Sequence, residues 1–302
     1  MTPDRPLLGI ALMLGFCILA PMGDALAKII GQSIPLGVLL LARFAVQAVL
    51  LFPVILVMKY PWKLSGKLLW LAWLRTVLHI IGIGAMFTAL RFLPLADAVA
   101  IAFVMPFIML VLGHYVLDEE IGMRRVIACS VGFIGTLLVI QPAFDNVGWP
   151  ALLPLVVAVV FSLFMLVTRQ IAKDTDPIGL QAVNGVMAVV ILLPLVILFR
   201  NSDLAIFEIK RPEGLEILML AAIGVIGTLA HLLMTWSLRF APSATLAPMQ
   251  YLEIPFATLI GWLVFREWPN AIASIGIMIT ISAGLYIVMR ERAIDRAAPS
   301  VP

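Results

Sequence analysis

Four ionisable side chains fall inside long apolar runs of this 302-residue chain: Glu253, His79, His231 and Asp97. A charged carboxylate at the centre of a bilayer costs about 2.5 to 3.5 kcal/mol on insertion scales, so it is expected to face a cavity or a partner. An imidazole titrates near neutral pH and can exchange protons or hydrogen bonds with a solute. The four residues are therefore candidates for a pathway through a membrane.

The surroundings of Glu253 recur elsewhere in the chain. Residues 238–267 and 90–119 both begin with Leu-Arg-Phe, contain Pro-Phe in an apolar run and end on Glu, at a spacing of 148. At this spacing His231 falls four residues from the position of His79, so both imidazoles are expected on one corresponding helix face. The first copy has Val104 two residues before its Pro-Phe, where the second has Glu253.

Structural alternatives remain open for each candidate. Glu253 could be protonated and satisfy backbone groups freed by Pro248 and Pro255. Asp97 lies near its helix start and could be solvated at the interface, and each histidine could be a hydrogen-bonded packing residue. Gln250 shares the predicted face of Glu253 and joins the candidate site.

Composition places these residues in a membrane protein. The chain is 63% hydrophobic and 12% charged, whereas soluble domains are roughly half apolar and a quarter charged. The apolar runs are long and lack strand-like alternation, which favours helices over a barrel. Ten spans are predicted, at about 7–30, 36–58, 68–90, 95–117, 123–140, 151–168, 178–199, 215–238, 244–265 and 271–289.

Five spans per copy have a topological consequence. The second copy must start on the opposite side of the membrane, so we predict an all-α integral membrane protein with two inverted five-helix repeats, 1–142 and 143–290, and a polar cytoplasmic tail at 291–302. Because the first span has a counterpart in the second half, it is expected to be a true span rather than a removable leader. Inverted repeats are typical of alternating-access transporters with a site near the midplane.

Loop charges predict the orientation. With a cytoplasmic amino terminus, twelve Lys and Arg residues lie on the cytoplasmic side and six on the other, so both termini are expected inside, in a bacterial inner membrane. The net charge of +3 reflects loops rather than a nucleic-acid partner. The expected partners are the lipid bilayer, a small-molecule substrate and, as a candidate coupling ion, the proton. A monomer or weak dimer is expected.

The motifs of intramembrane enzymes are missing from the sequence. There is no GxSxG, HExxH or P-loop, and Cys17 and Cys129 lie in apolar runs without metal-ligand spacing. The chain is therefore not expected to be an enzyme, and neither a metal nor a cofactor is predicted.

Each half closes on a similar pattern: PMQYLEIPFATLIGWLVFRE with SIGIMITISAGLYIV, and VMPFIMLVLGHYVLDE with SVGFIGTLLVI. This pattern resembles the EamA module of the drug/metabolite transporter superfamily, and the chain is similar to its amino-acid exporter branch of YddG type. The resemblance implies ten helices, a central cavity and export of neutral, including aromatic, amino acids. The alternatives are export of other small molecules, such as drugs, nucleosides or sugar-linked metabolites, or a channel-like facilitator.

A cavity for such solutes needs apolar walls with a few polar groups. The wall candidates are Met86, Phe103, Phe164, Met234 and Trp236, and the candidate kinks or hinges are Pro21, Pro106, Pro248 and Pro255. Arg43 and Arg75 are deep enough to join the cavity, but their long stems could instead snorkel to the headgroups. Asp24 and Lys28 are expected to form an i, i+4 pair at the rim.

Overall fold

The computed structural model describes residues 5–118, 122–202 and 204–297, which form helices joined by short loops. The α-helices in chain order are α1 Pro6–Ile30, α2 Leu36–Val57, α3 Gly66–Ala89, α4 Leu95–Ala102, α5 Met105–Leu117, α6 Met123–Val147, α7 Leu153–Ala172, α8 Pro177–Phe199, α9 Leu215–Phe240, α10 Ser243–Leu246, α11 Glu253–Ile260 and α12 Ala271–Ala297. Short 3₁₀ helices lie at Trp149–Leu152 and Ala205–Phe207.

The predicted fourth and ninth spans are broken helices. The fourth consists of α4 and α5. Its first part, α4, ends at Ala102. The carbonyl of Ala102 would accept a hydrogen bond from residue 106 in a continuous helix, but Pro106 has no N–H to donate. The ninth runs through α10, a 3₁₀ helix at Ala247–Leu252, α11 and a π-helical turn at Gly261–Phe265. Both copies of the repeated motif are therefore irregular at mid-membrane, which is tolerated where the backbone is buried in protein or lines a cavity.

Each of the other predicted spans contains one long α-helix, and the sixth starts with the 3₁₀ helix and ends four residues later than predicted, at Ala172. Two further spans extend well past their predicted ends. The fifth span continues to Val147, and the tenth continues to Ala297, into the segment predicted as a polar tail. By length and hydropathy, eight stretches of the described residues could cross a membrane, and Met249–Phe265 and Ala271–Ala283 are shorter apolar helices. Together they account for the ten predicted spans. Glu119, which closes the first motif, lies outside the described residues.

Helix pairing follows the repeat. The four most extensive helix pairs each join the two halves: α1 with α9, α6 with α12, α2 with α8 and α3 with α7. A smaller contact, between α4 and α11, also joins them. If each of the first five spans is replaced by its counterpart among the last five, and the reverse, the same set of pairs results. The halves thus pack as related units, and their interface forms the centre of the protein.

One contact shows how closely the halves approach. Gly135 of α6 faces Gly276 of α12, and a Cβ on Gly135 would lie 2.6 Å from the Gly276 carbonyl oxygen. Small residues at such crossings let helix backbones meet in a membrane. This part of the interface leaves no room for a side chain at Gly135.

Candidate functional site

A central cavity of about 90 Å³ lies between the two repeats. Helices of both halves form its walls, which include the ends of α4 and the start of α11 at the two helix breaks. The aromatic and methionine side chains in the walls are Phe16, Met86, Phe87, Phe103, Met105 and Phe161. The ionisable side chains in the walls are Asp24, Arg43, His231 and Glu253. The site combines an apolar enclosure with a few polar groups, as small-molecule sites do.

The two histidines predicted to share a face are in direct contact. Nε2 of His79 on α3 lies 3.2 Å from Nε2 of His231 on α9. Only His231 reaches the cavity wall; His79 is fully buried behind it, against the rings of Phe44 and Phe164. The pair therefore joins the two halves and presents one of its rings to the cavity.

Buried amides hold His79 from the other side. Its Nδ1 lies 3.0 Å from Oδ1 of Asn184 on α8, which also accepts a hydrogen bond from Nε2 of Gln47. The Asn184 amide donates to Oγ1 of Thr76 at 2.8 Å. Such a network fixes the orientation of the imidazole, because Oδ1 of Asn184 would lose a partner if the ring turned.

Arg43 of α2 connects the histidine pair to the cavity. Its Nη2 donates to Nε2 of His79 at 3.4 Å, while its Nη1 has no partner among the described residues. A Cβ on Gly227 would lie 3.0 to 3.2 Å from three atoms of this guanidinium. Glycine at this position therefore provides the space that the Arg43 head group occupies.

Arg75 of α3 is fully buried on the side of the histidine pair away from the cavity. Its Nε donates to Oγ1 of Thr168 at 2.8 Å, and its terminal nitrogens donate to Oε1 of Gln181 at 3.3 Å. Its guanidinium carbon lies 4.6 Å from the ring centroid of Phe164. These partners all come from the second half, so Arg75 binds the halves together and does not snorkel.

The structure separates the predicted site residues into two groups. Glu253, His231, Phe103 and Met86 line the cavity. Six others lie outside its lining. Phe164 and Met234 are fully buried, Gln250 contacts the Met165 sulfur through Nε2 at 3.0 Å, and Trp236 packs on a separate apolar cluster. His79 lies behind His231. Asp97 lies in the first turn of α4, four residues after Leu93, whose carbonyl accepts a hydrogen bond from Lys28.

The predicted hinge prolines also differ in position. Pro21 lies inside α1, where it removes a backbone hydrogen bond. Pro106 is the second residue of α5, and Pro248 is the second residue of the 3₁₀ helix at Ala247–Leu252. Pro255 is the third residue of α11. The last three therefore lie in first turns, where the N–H groups have no intrahelical partner in any case.

The predicted Asp24–Lys28 pair does not form. Lys28 instead pairs with Glu267, with Nζ–O distances of 2.6 and 2.7 Å, and donates to the Leu93 carbonyl at 3.0 Å. The long side chain of Lys28 reaches the end of the ninth span. The Glu267 carboxylate lies there, between α1 and the start of α4. Asp24 lies in the cavity wall instead. Spacing within the first helix predicts its pairing with Lys28 and gives no sign of this position.

Two repeats that pack around a shared cavity at mid-membrane define the architecture of a membrane carrier. Comparison with known proteins gives the family. The EamA-like transporter family matches residues 7–141 and again 148–290. The chain belongs to this family, which makes it a multi-pass membrane transporter and not an enzyme.

Individual relatives agree with this assignment. A riboflavin transporter of Rhizobium johnstonii is 28% identical over 238 residues, 78% of this chain and 73% of the relative. An S-adenosylmethionine uptake transporter of Rickettsia felis is 22% identical over 287 residues, 95% of this chain and 94% of the relative. A crystal structure with 18% identity superposes with a TM-score of 0.70 over 95% of this chain and 98% of its own, which shows the shared fold.

Proposed function

We propose that this protein takes up a small heteroaromatic metabolite by alternating access, with riboflavin as the first candidate substrate. The observation that carries the proposal is the central cavity, whose phenylalanine walls suit a flat ring and whose Asp24, Arg43, His231 and Glu253 suit its polar edge. Relatives named as riboflavin and S-adenosylmethionine uptake transporters support it. Both compounds join a nitrogen heterocycle to a hydroxylated five-carbon unit, an open ribityl chain in riboflavin and a ribose ring in S-adenosylmethionine.

An amino acid is the second candidate substrate. The cavity offers Asp24 and Glu253 for an ammonium group and Arg43 for a carboxylate. This arrangement fits the neutral amino acids predicted from the sequence resemblance. The sequence resemblance predicts export, whereas the S-adenosylmethionine relative is named as an uptake transporter.

The size of the cavity bears on the mechanism. Sites for drug-sized ligands occupy about 300–1,000 Å³, and the cavity encloses about 90 Å³. Riboflavin would therefore enter only after the two halves part, as a rocking motion of inverted repeats would allow. The described conformation is then the contracted member of the transport cycle.

Reconstituted vesicles test the proposal. Vesicles loaded with unlabelled riboflavin should accumulate labelled riboflavin by saturable counterflow, and S-adenosylmethionine and tryptophan should be compared as competitors. Protein-free vesicles are the control. Saturable counterflow of tryptophan alone would overturn riboflavin in favour of the amino acid, and flux that never saturates would indicate a channel.

Energy coupling belongs to the same proposal. Glu253 is the carboxylate at the second helix break and is 8% exposed, so it is our candidate for a coupling proton. Glu253→Gln should abolish accumulation driven by a pH gradient while exchange of substrate continues. Gradient-driven accumulation that survives in this variant would remove the role. We further propose that both termini are cytoplasmic, in a bacterial inner membrane.

A further inference from the structure

The hydrogen-bond partners of the histidine pair assign its protons. The backbone carbonyl of Gln181 can only accept, so the Gln47 group that lies 2.7 Å from it is the amide nitrogen. The same nitrogen lies 3.3 Å from Asn184, which must therefore present its oxygen. Because this oxygen also faces Nδ1 of His79 at 3.0 Å, His79 carries its proton on Nδ1.

A second contact leads to the same tautomer. Arg43 has only donors, and its Nη2 faces Nε2 of His79, so that nitrogen presents a lone pair. Nε2 of His231 lies 3.2 Å from the same lone pair and must carry the proton between them. A second proton on His231 would place an imidazolium beside the Arg43 guanidinium, which favours the neutral ring. His231 is thus left with a lone pair on Nδ1.

Two buried groups without a partner in the described part of the chain follow, on side chains that line the cavity. Nδ1 of His231 is an acceptor and Nη1 of Arg43 is a donor, and neither has a partner among the described residues. The two side chains are 4% and 2% exposed, and both line the cavity. The side chains of Arg43 and His231 are also neighbours, because Nη2 of Arg43 and Nε2 of His231 both contact Nε2 of His79.

We propose that this acceptor and donor bind the amide edge of a heterocyclic substrate, an N–H next to a C=O. His231 Nδ1 accepts from the N–H, and Arg43 Nη1 donates to the adjacent carbonyl. The inference rests on the proposed function, since it names the part of the ring that the transporter recognises. Riboflavin has such an edge in its pyrimidine ring, where N3–H lies between two carbonyl groups.

Small probes test the edge without relying on riboflavin. Purified protein is titrated with 1-methyluracil, which keeps only the N3–H, and with 1,3-dimethyluracil, which has no N–H, and binding is followed by thermal shift. The first should bind roughly tenfold tighter or more, because the second leaves both protein groups unpaired. Equal affinity, or binding of neither probe, would overturn the proposal.

Two variants of His231 separate recognition from pairing with His79. The amide of Asn reaches the position of Nδ1, and the amide of Gln reaches the position of Nε2. His231→Asn should keep most of the preference for 1-methyluracil, whereas His231→Gln should lose it. Leu229→Ala, at a membrane-facing position of the same helix, is the matched control. A preference that follows Gln rather than Asn would assign His231 to packing alone.

Uptake of riboflavin and 3-methylriboflavin distinguishes the two proposals. Transport of riboflavin with a preference over its methylated analogue supports both. Transport of both flavins at equal rates overturns the amide edge and leaves riboflavin transport standing. A uracil preference without any riboflavin transport overturns riboflavin as substrate and leaves the amide edge standing.

Discussion

The two broken helices of the protein share a sequence pattern but differ at the break itself. In the first half α4 gives way to α5 through Phe103 and Val104, and Phe103 lines the cavity. In the second half a 3₁₀ helix gives way to α11 at Glu253, which lines the cavity from the opposite repeat. The repeat therefore supplies two equivalent irregular positions, and only one of them carries a carboxyl group. We propose that the second half holds the specialised chemistry.

Making the two breaks alike should have the largest effect. Glu253→Val gives the second half the residue type of the first and removes a carboxylate from the cavity. We expect substrate counterflow to fall roughly tenfold or more, since a lost charge-assisted hydrogen bond is worth about 1.5 to 3 kcal/mol. The melting temperature in detergent should hold or rise, because an unfavourable buried charge is gone. Counterflow at the wild-type rate would show that the asymmetry is not functional.

The opposite exchange should affect stability rather than transport chemistry. Val104 is partly buried, packs on the core and does not line the cavity. Val104→Glu would place a carboxylate there without a partner, at a cost of about 2.5 to 3.5 kcal/mol. The melting temperature should fall markedly, with Val104→Leu as the control. A stable Val104→Glu protein would mean that the first break can also hold a charge.

The predictability of this site from sequence depends on how far each signal reaches. The spacing of 148 placed His79 and His231 on corresponding faces, and the structure brings their Nε2 atoms to 3.2 Å. That inference needed only helix periodicity and the repeat. Likewise, hydropathy predicts the ten spans, and the motif that recurs at a spacing of 148 predicts the two five-helix repeats.

Contacts between helices were less accessible to sequence reasoning. Arg43 and Arg75 are ambiguous in the sequence, because a long side chain at their depth can snorkel or turn inward. Only their neighbours decide, His79 on α3 for Arg43 and Thr168 on α7 for Arg75. Lys28 was assigned to Asp24 within α1, although its partner is 239 residues away on Glu267. The breaks in the fourth and ninth spans also depend on packing, since proline marks a weak point and does not by itself open a helix.

The Lys28–Glu267 ion pair connects the two broken helices and should have a moderate effect. Glu267 follows the second broken helix. Its carboxylate also accepts a hydrogen bond from the Leu95 N–H at the start of α4, at 3.2 Å. Side-chain exposures of 13% and 32% leave the pair only partly screened. A double-mutant cycle with Lys28→Met and Glu267→Gln should give a coupling energy of about 1 kcal/mol from melting data. Additive effects would show that Glu267 acts through Leu95 alone.

The prolines of the two breaks should matter least, which sharpens the comparison. Pro106 lies in the first two residues of α5 and Pro255 is the third residue of α11, so neither removes an intrahelical hydrogen bond of its segment. Pro106→Ala and Pro255→Ala should each change stability by under about 1 kcal/mol and leave counterflow within about threefold of wild type. Pro21→Ala is the comparison variant, because Pro21 lies inside the continuous helix α1 and removes a backbone hydrogen bond there. If Pro255→Ala alone abolished counterflow, the asymmetry would reside in the second proline; small and equal effects would leave it in Glu253.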